Sequence, residues 1–415
     1  MLFFSLSSVD EAVAEITSFL KTTLFRRQED VSLEDADGRI TAEDVTASED
    51  VPNYRKSTVD GFAVRARDTD GASASVPALV RLTGAIRMGE VVTAPLRSGE
   101  TVAIPTGGML PPGADAVVMV EDSETHQDDV FFAKSVAPGM HTIDVGEDIA
   151  RGACILPART RLGPAALGAL ASLSLDTVSL IARPRFAVIS TGDEIRPWNQ
   201  PLGIGEVRDT NAVVLKSQIR RLGGVVTYSA IVADDPEQLK NTLERAAAEA
   251  DIVLVSGGSS VGERDFTQMI VAGLPESRIV IHGLAAKPGK PTLVAMSRST
   301  LILGLPGHPA SCSLIFQVMM RPAFNRLGLI GPGPAPVPAR LLEPCHGSPG
   351  RRTFQTVRLE TDDAGQPVCR PLRGQSGLVS LLASSSGYFV IPEDEEGVNA
   401  GQTVLVYSLE GGSYG

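Results

Sequence analysis

Phe186-Ala187-Val188-Ile189-Ser190, continued by Thr191-Gly192-Asp193-Glu194, is the stretch that decides the fold. Short, uncharged and ending abruptly at a glycine and two acids, it reads as a strand buried on both faces. Outward from it the chain alternates. Asp209 to Leu222 has helical patterning, Val225 to Val232 a strand's, Pro236 to Ala250 a helix's, and Ile252 to Ser256 that of a second buried strand. Two further apolar runs, Arg278 to His282 and Leu301 to Leu305, precede a helix from Ala310 to about Met320. This alternation predicts a central, mostly parallel α/β domain covered on both faces.

In such sheets ligands sit beyond the carboxyl ends of the strands. Those ends carry Thr191-Gly192-Asp193-Glu194, Asp234-Asp235, Ser256-Gly257-Gly258-Ser259-Ser260-Val261-Gly262 and Gly304-Leu305-Pro306-Gly307-His308-Pro309, which should converge on one crevice. Gly257, Gly258 and Gly262 let backbone amides approach an anion, which suits phosphate, although many α/β turns hold two glycines for steric reasons alone. Neither the P-loop nor the dinucleotide-binding glycine spacing is matched, which disfavours both of those enzyme classes.

Lys287-Pro288-Gly289-Lys290-Pro291-Thr292 presents two ammonium groups on a turn stiffened by prolines. In isolation it is a solvated surface turn; inside the glycine-loop domain it points to an oxyanion site. Asp193, Glu194, Asp234, Asp235, Glu263 and Asp265 crowd the same loops. Singly each is a helix cap or a solvated charge, and together they suit a Mg²⁺ ion bridging substrate oxygens.

The flanks differ in texture. Ser8 to Phe25 has helical spacing with Ser8 as N-cap, 51 to about 141 breaks into short β-type runs such as Pro77 to Leu82 and Ala116 to Val120, and helical patterning returns from Gly163 to Leu173. This reads as a β domain inserted into a discontinuous helical one. Gly331 to Pro338 reads as a linker, and runs at Thr353 to Leu359 and Thr403 to Tyr407 as a C-terminal β domain. With 415 residues, several cores are expected. A net charge of -12 argues against nucleic acid or an anionic membrane as partner. Cys154, Cys312, Cys345 and Cys369 lack metal-site spacing and read as reduced thiols. The start MLFFSL is unlike a signal peptide and no stretch approaches a membrane span, so a cytoplasmic location is expected.

Several stretches, in this order, resemble the molybdopterin molybdenumtransferases. They are Ser57-Thr58-Val59-Asp60-Gly61-Phe62-Ala63, Thr106-Gly107 with Leu110 to Val118, Gly146-Glu147-Asp148-Ile149, Thr191 to Glu194, Asp209-Thr210-Asn211, the Gly257 loop to Asp265, the Lys287 turn, and Gly304 to Pro309. The resemblance implies a central domain of molybdopterin-binding type at 181–328, a discontinuous helical domain at 1–50 and 145–180, an inserted β domain at 51–144 and a C-terminal β domain at 335–415. It implies a homodimer with the site between the central domain of one subunit and the inserted domain of the other. The implied reaction takes adenylylated molybdopterin and molybdate as substrates, with Mg²⁺, and releases AMP; a molybdopterin adenylyltransferase is the implied pathway partner. Asp60, Glu194, Asp265, Lys287 and Lys290 are the implied catalytic set, with Glu194, Asp234 and Asp265 near the metal. Thr106, Asp148, Ser256, Gly257, Gly258, Ser260, Gly262, Pro306, Gly307, His308, Pro309, Arg351 and Ser376 are the implied substrate contacts, with Arg352 an alternative to Arg351 and a turn-stabilising role the alternative for Thr106.

Val59, Ser259, His308 and Thr353 stand where the family commonly has Met, Val, Asn and Glu. His308 matters most, because imidazole and amide differ in donor geometry, and it leaves open a paralogue that prefers tungstate. Two rival readings are a non-catalytic scaffold that has kept the fold and a pterin adenylyltransferase. Retention of Asp60, Glu194, Asp265, Lys287 and Lys290 together argues against the scaffold, and the additional β domains favour metal insertion over adenylylation.

Overall fold

The computed structural model describes residues 6–257, 270–374 and 379–409. The chain divides into two compact units, one comprising residues 30–37 and 41–179 and the other the rest.

The first unit carries a six-stranded sheet in the order Ala116–Met119, Gly61–Val64, Glu100–Ile104, Ala78–Ala85, Asp129–Phe132, Ser123–His126. Alternation along its strands sends Phe62, Val64 and Val118 to one core and Ala63 and Val117 to another. Its helix is short, Pro164–Ala171, started by a proline where an amide would go unpaired.

In the second unit, six strands build the central sheet: β1 (Arg185–Thr191), β2 (Val225–Val232), β3 (Ile252–Ser256), β4 (Ser277–His282), β5 (Leu293–Ser297) and β6 (Thr300–Leu305), in the order β2-β1-β3-β6-β5-β4. The first four in that order run parallel, and β5 and β4 extend the sheet antiparallel. Phe186, Val188, Ile252 and Leu254 point to one face, where α1 (Val9–Thr23), α2 (Thr210–Arg221) and α4 (Pro309–Arg326) cover them. Ala187, Ile189, Val253 and Val255 point to the other, against α3 (Pro236–Glu249). Both faces are therefore buried, as the uncharged runs required.

Two expectations change. α1, grouped by sequence with 145–180, packs on the central sheet instead: Val13, Ile16 and Leu20 are buried in one core with Phe316 and Leu303. Its capping box, with the Ser8 hydroxyl accepting from the Glu11 amide at 3.1 Å, sets its start. The helix expected from Ala310 to Met320 begins at Pro309 and continues through Pro322 to Arg326.

At the C-terminus, Arg352–Thr361, Pro367–Pro371, Val337–Leu341, Thr403–Ser408 and Gly387–Ile391 pair in sequence, and the last pairs back to the first. The sheet closes into a barrel around Leu341, Val357, Phe389, Ile391 and Val406.

Candidate active site

The parallel strands β2, β1, β3 and β6 end side by side, with Thr191 opposite Val232, and Ser190 and Leu305 both opposite Ser256. Their terminal loops therefore share one edge. The Gly192 amide donates to the Val232 carbonyl at 3.1 Å and the Asp234 amide to Asp193 Oδ1 at 3.1 Å, which ties the loops bearing Glu194 and Asp234 together. Glu194 and Asp234 are exposed there. Asp235 is the N-cap of α3, its carboxylate accepting from the Glu237 and Gln238 amides at 2.9 Å, and Asp209 caps α2 in the same way.

Ser256 is buried, its hydroxyl 3.4 Å from that of Ser190. Gly257 has φ +139°, and a Cβ there would lie 2.1 Å from Thr191 Oγ1 and 2.4 Å from its carbonyl oxygen. Only glycine lets the two strand ends approach this closely. Gly258, Ser260, Gly262, Glu263, Asp265 and Ser376 lie outside the described residues.

β5 begins where β6 ends, Leu293 facing Gly304, so the lysine turn that precedes β5 reaches the same edge. Three neighbours fix it. Ser7 bonds the Gly283 carbonyl and the Ala285 amide; Gly289, at φ +117°, sits where a Cβ would be 2.2 Å from Ile315 Cδ1; and Ala286–Lys287 pairs in parallel with Arg352–Thr353. Lys287 and Lys290 are themselves exposed. The Thr292 hydroxyl donates to the Gly289 carbonyl at 2.6 Å and closes the turn.

That pairing separates the two candidate arginines. Arg352 is committed: its guanidinium forms a bidentate pair with Asp10 at 3.1 and 2.9 Å and reaches Glu393 at 3.3 Å. The hydrogen bond from Arg352 is the largest cause of an Asp10 carboxyl held below its usual range. Arg351 precedes this anchored residue and is half-buried, its amide donating to the Ser348 carbonyl at 2.9 Å. Thr353, where the family commonly has Glu, is buried opposite Lys287, and its hydroxyl has no partner among the described residues.

Pro306 is buried, Gly307 and Pro309 are half-buried, and the exposed His308 is the N-cap position of α4 without a side-chain cap bond. Asn211, which sequence reasoning quoted but did not place in the site, donates Nδ2 to the Gly307 carbonyl at 2.8 Å and leaves Oδ1 buried and unpaired. Because a carbonyl only accepts, the contact fixes which side of the amide faces Gly307. The only hint in the sequence was its position one residue into a helix with an Asp cap.

In the other unit Asp60 accepts from both the amide and the hydroxyl of Thr106, and the Asp60 carbonyl accepts from Val120. The Gly107 amide donates to the Ser57 carbonyl at 2.8 Å, so the two motif loops are stitched to each other. Asp148 is exposed on a turn held by its amide to the Val51 carbonyl at 3.2 Å; no direct hydrogen bond joins it to Asp60. Among the described residues no group of three or more His, Cys, Asp or Glu side chains could hold a metal ion. No helix of the described residues is long and apolar enough to cross a membrane.

A doubly covered α/β domain with a lysine turn and acidic loops at one strand edge, joined to a closed barrel and a β-rich unit, defines a class of multidomain α/β proteins whose candidate site suits an anionic ligand. Family profiles agree in chain order: the MoeA N-terminal region (domains I and II) matches residues 7–174, the probable molybdopterin binding domain 187–326, and the MoeA C-terminal region (domain IV) 338–409. The molybdopterin molybdenumtransferase of Nostoc sp. is 33% identical over 392 residues, covering 92% of this chain and 89% of that protein. That of Bacillus subtilis is 30% identical over 404 residues, 96% and 93% of the two chains. The crystal structure of the molybdopterin biosynthesis MoeA protein from Pyrococcus horikosii superposes with a TM-score of 0.83 at 33% identity, covering 98% of this chain and 99% of that one. The chain belongs to the molybdopterin molybdenumtransferase family, whose place is in molybdenum cofactor biosynthesis.

Proposed function

We propose that the protein inserts molybdate into adenylylated molybdopterin with release of AMP. The observation that supports this is the pairing of Ala286–Lys287 with Arg352–Thr353, which brings the lysine turn and the strand that follows Arg351 side by side. Three cations in an acidic chain, on a fixed backbone, suit a tetrahedral oxyanion. The phosphates are bound by backbone amides of the loop that follows Ser256-Gly257, with Gly258, Ser260 and Gly262, and Pro306 to Pro309, whose Gly307 carbonyl is held by Asn211, are further substrate contacts.

Glu194 and Asp234 are hard oxygen donors on tied loops, the right chemistry for Mg²⁺, and with Asp265 they would hold it. The ion would supply charge neutralisation at the phosphoanhydride. Water attacks the pterin-side phosphorus as AMP leaves with the bridging oxygen, and the two dithiolene sulfurs replace two molybdate oxygens, which take up protons and leave as water. Asp60, Thr106 and Asp148 are contributed by the partner of a homodimer, and Ser376 is a further substrate contact. The working domains are 51–144 for the inserted one, 181–328 with α1 for the central one and 335–415 for the last, joined by the remainder of 1–50 and 145–180. The enzyme works in the cytoplasm, downstream of a molybdopterin adenylyltransferase.

A reconstitution tests this: purified protein, adenylylated molybdopterin, Mg²⁺ and either molybdate or tungstate, following AMP and metal-bound pterin together. Oxyanion-dependent AMP release with metal incorporation is expected, and the two anions are ranked by rate. Binding without cleavage, beside an active control enzyme, would assign the chain a scaffold role.

A further inference from the structure

The loop between β1 and α2 holds the only tryptophan of the chain in solvent: Trp198 is 63% exposed. The loop that carries it is tied at both ends. Ile195–Arg196 pairs in parallel with Val207–Arg208, Arg196 Nε donates to Glu206 Oε1 at 2.8 Å and its Nη1 to the Asp193 carbonyl at 2.9 Å, and the Gly203 amide donates to Glu206 Oε2 at 2.6 Å. Chiefly through the Gly203 amide, these bonds hold the Glu206 carboxyl below its usual range.

Pro197 and Trp198 wall one side of a groove of about 660 Å³, whose floor is Ser229 to Ile231 of the sheet's edge strand β2. Its far wall is a stripe of α2 at helical spacing, from the Asp209 cap through Val213 to Lys216 and Arg220. Among the described residues neither Lys216 nor Arg220 forms a salt bridge. Arg220, in the last turn, also offsets the helix dipole; Lys216, in mid-helix, does not. Asp209 is occupied by its cap bond to the Ala212 amide at 2.9 Å. At about 1.5 Å of rise per residue the two cations lie roughly 10 and 16 Å along the helix from it.

We propose that this groove binds a nucleoside monophosphate, its base stacked on Trp198 and its phosphate held by Lys216 and Arg220. The groove lies within the roughly 300–1,000 Å³ of small-molecule sites, its indole offers a ring face to stack on, and its two unpaired cations supply the only charge an anion needs. It uses none of Lys287, Lys290 or Arg351, and stands whether or not the transfer reaction does.

Trp198, as the single tryptophan, reports binding directly by its fluorescence. AMP and GMP are titrated against the full chain, with adenosine, ribose 5-phosphate and inorganic phosphate as partial ligands. A saturable change is expected with AMP or GMP, weaker by roughly tenfold for each of Lys216→Gln and Arg220→Gln, which keep the side-chain stems, and unaltered in Lys287→Ala. Three results overturn the proposal: no saturable change, adenosine or inorganic phosphate binding as tightly as the nucleotide, or affinity lost in Lys287→Ala and kept in the two glutamine variants.

Discussion

Thr106 donates both its backbone amide, at 2.7 Å, and its hydroxyl, at 3.0 Å, to a single oxygen, Oδ1 of Asp60. The amide bond is the larger cause, and the hydroxyl the second, of an Asp60 carboxyl held below its ordinary value. The two readings of Thr106, substrate contact and turn stabiliser, meet here: it orients a proposed catalytic acid. Two acceptor bonds to one oxygen leave Oδ2 as the free face of the carboxylate.

Thr106→Ala should remove one donor and let the Asp60 carboxyl rise toward its ordinary value. A carboxylate with a depressed folded value contributes stability that is present above the unfolded value and lost as pH falls through the folded one. The variant should therefore shift the acid limb of the transfer rate to higher pH and lower the rate by about tenfold or less at neutrality. Asp60→Asn, which keeps the shape, should lose on the order of 100-fold with an unchanged melting temperature. A pH–rate profile beside thermal melts distinguishes these outcomes, and an unchanged acid limb in Thr106→Ala would sink the orienting role.

Gly257→Ala tests whether the close strand ends are a requirement. Its Cβ would meet the Thr191 carbonyl oxygen at 2.4 Å, and backbone cannot move aside as a side-chain tip can. A loss of about 2 kcal/mol or more in denaturant unfolding is expected, with AMP release impaired. Gly289→Ala meets Ile315 Cδ1 at 2.2 Å and Cγ1 at 2.6 Å, side-chain atoms of a buried residue rather than backbone. Its loss of stability should be smaller, while the Michaelis constant for molybdate rises because the lysines shift.

How much of this was written in the sequence depends on range. Phe186 to Ser190 and Ile252 to Ser256 were legible because a strand buried on both faces must be an uncharged run ended by turn residues. β5 was missed because its hairpin to β6 turns at Arg298, which takes φ +50° without the glycine or asparagine that normally signals such a turn. α4 was cut short because Pro322 reads as a stop, yet burial of Ala323 and Phe324 carries the helix past it. The candidate site divides in the same way. Local loops were visible, but the pairing of Lys287 with Thr353, and hence which arginine is free to bind, depends on contacts between distant segments that no local pattern encodes.

Lys287→Ala and Lys290→Ala should leave the melting temperature within about 1 °C, since both side chains are exposed and the turn is held by Thr292, Ser7 and the Arg352 strand. Transfer at low molybdate should fall by on the order of 100-fold in each, leaving enough turnover at high molybdate to follow. The distinguishing measurement is the dependence on molybdate: a Michaelis constant raised at least tenfold by either single change marks oxyanion contacts, whereas a fall in turnover alone would place the lysines on the pterin phosphate instead.

Arg351→Ala and Arg352→Ala should differ in kind. Arg351→Ala should keep the melting profile and weaken the oxyanion dependence, as the lysine variants do. Arg352→Ala removes the partner of Asp10 and Glu393, whose carboxyls are both held low, Asp10 first by the hydrogen bond from Arg352 and Glu393 first by its own backbone amide with Arg352 second. Depressed folded values give stability that is full above the unfolded range, near pH 4, and disappears as the pH drops through the folded values. Wild-type protein should therefore lose stability on going from about pH 5 toward pH 3 more steeply than Arg352→Ala. At pH 7 the variant should be weaker by about 1 kcal/mol, the scale of a partly exposed bidentate pair screened by solvent. Melting curves across that interval decide it. Parallel pH profiles for the two proteins would mean that Asp10 and Glu393 owe their low values to other groups, and that Arg352 is not what anchors the barrel strand beside the lysine turn.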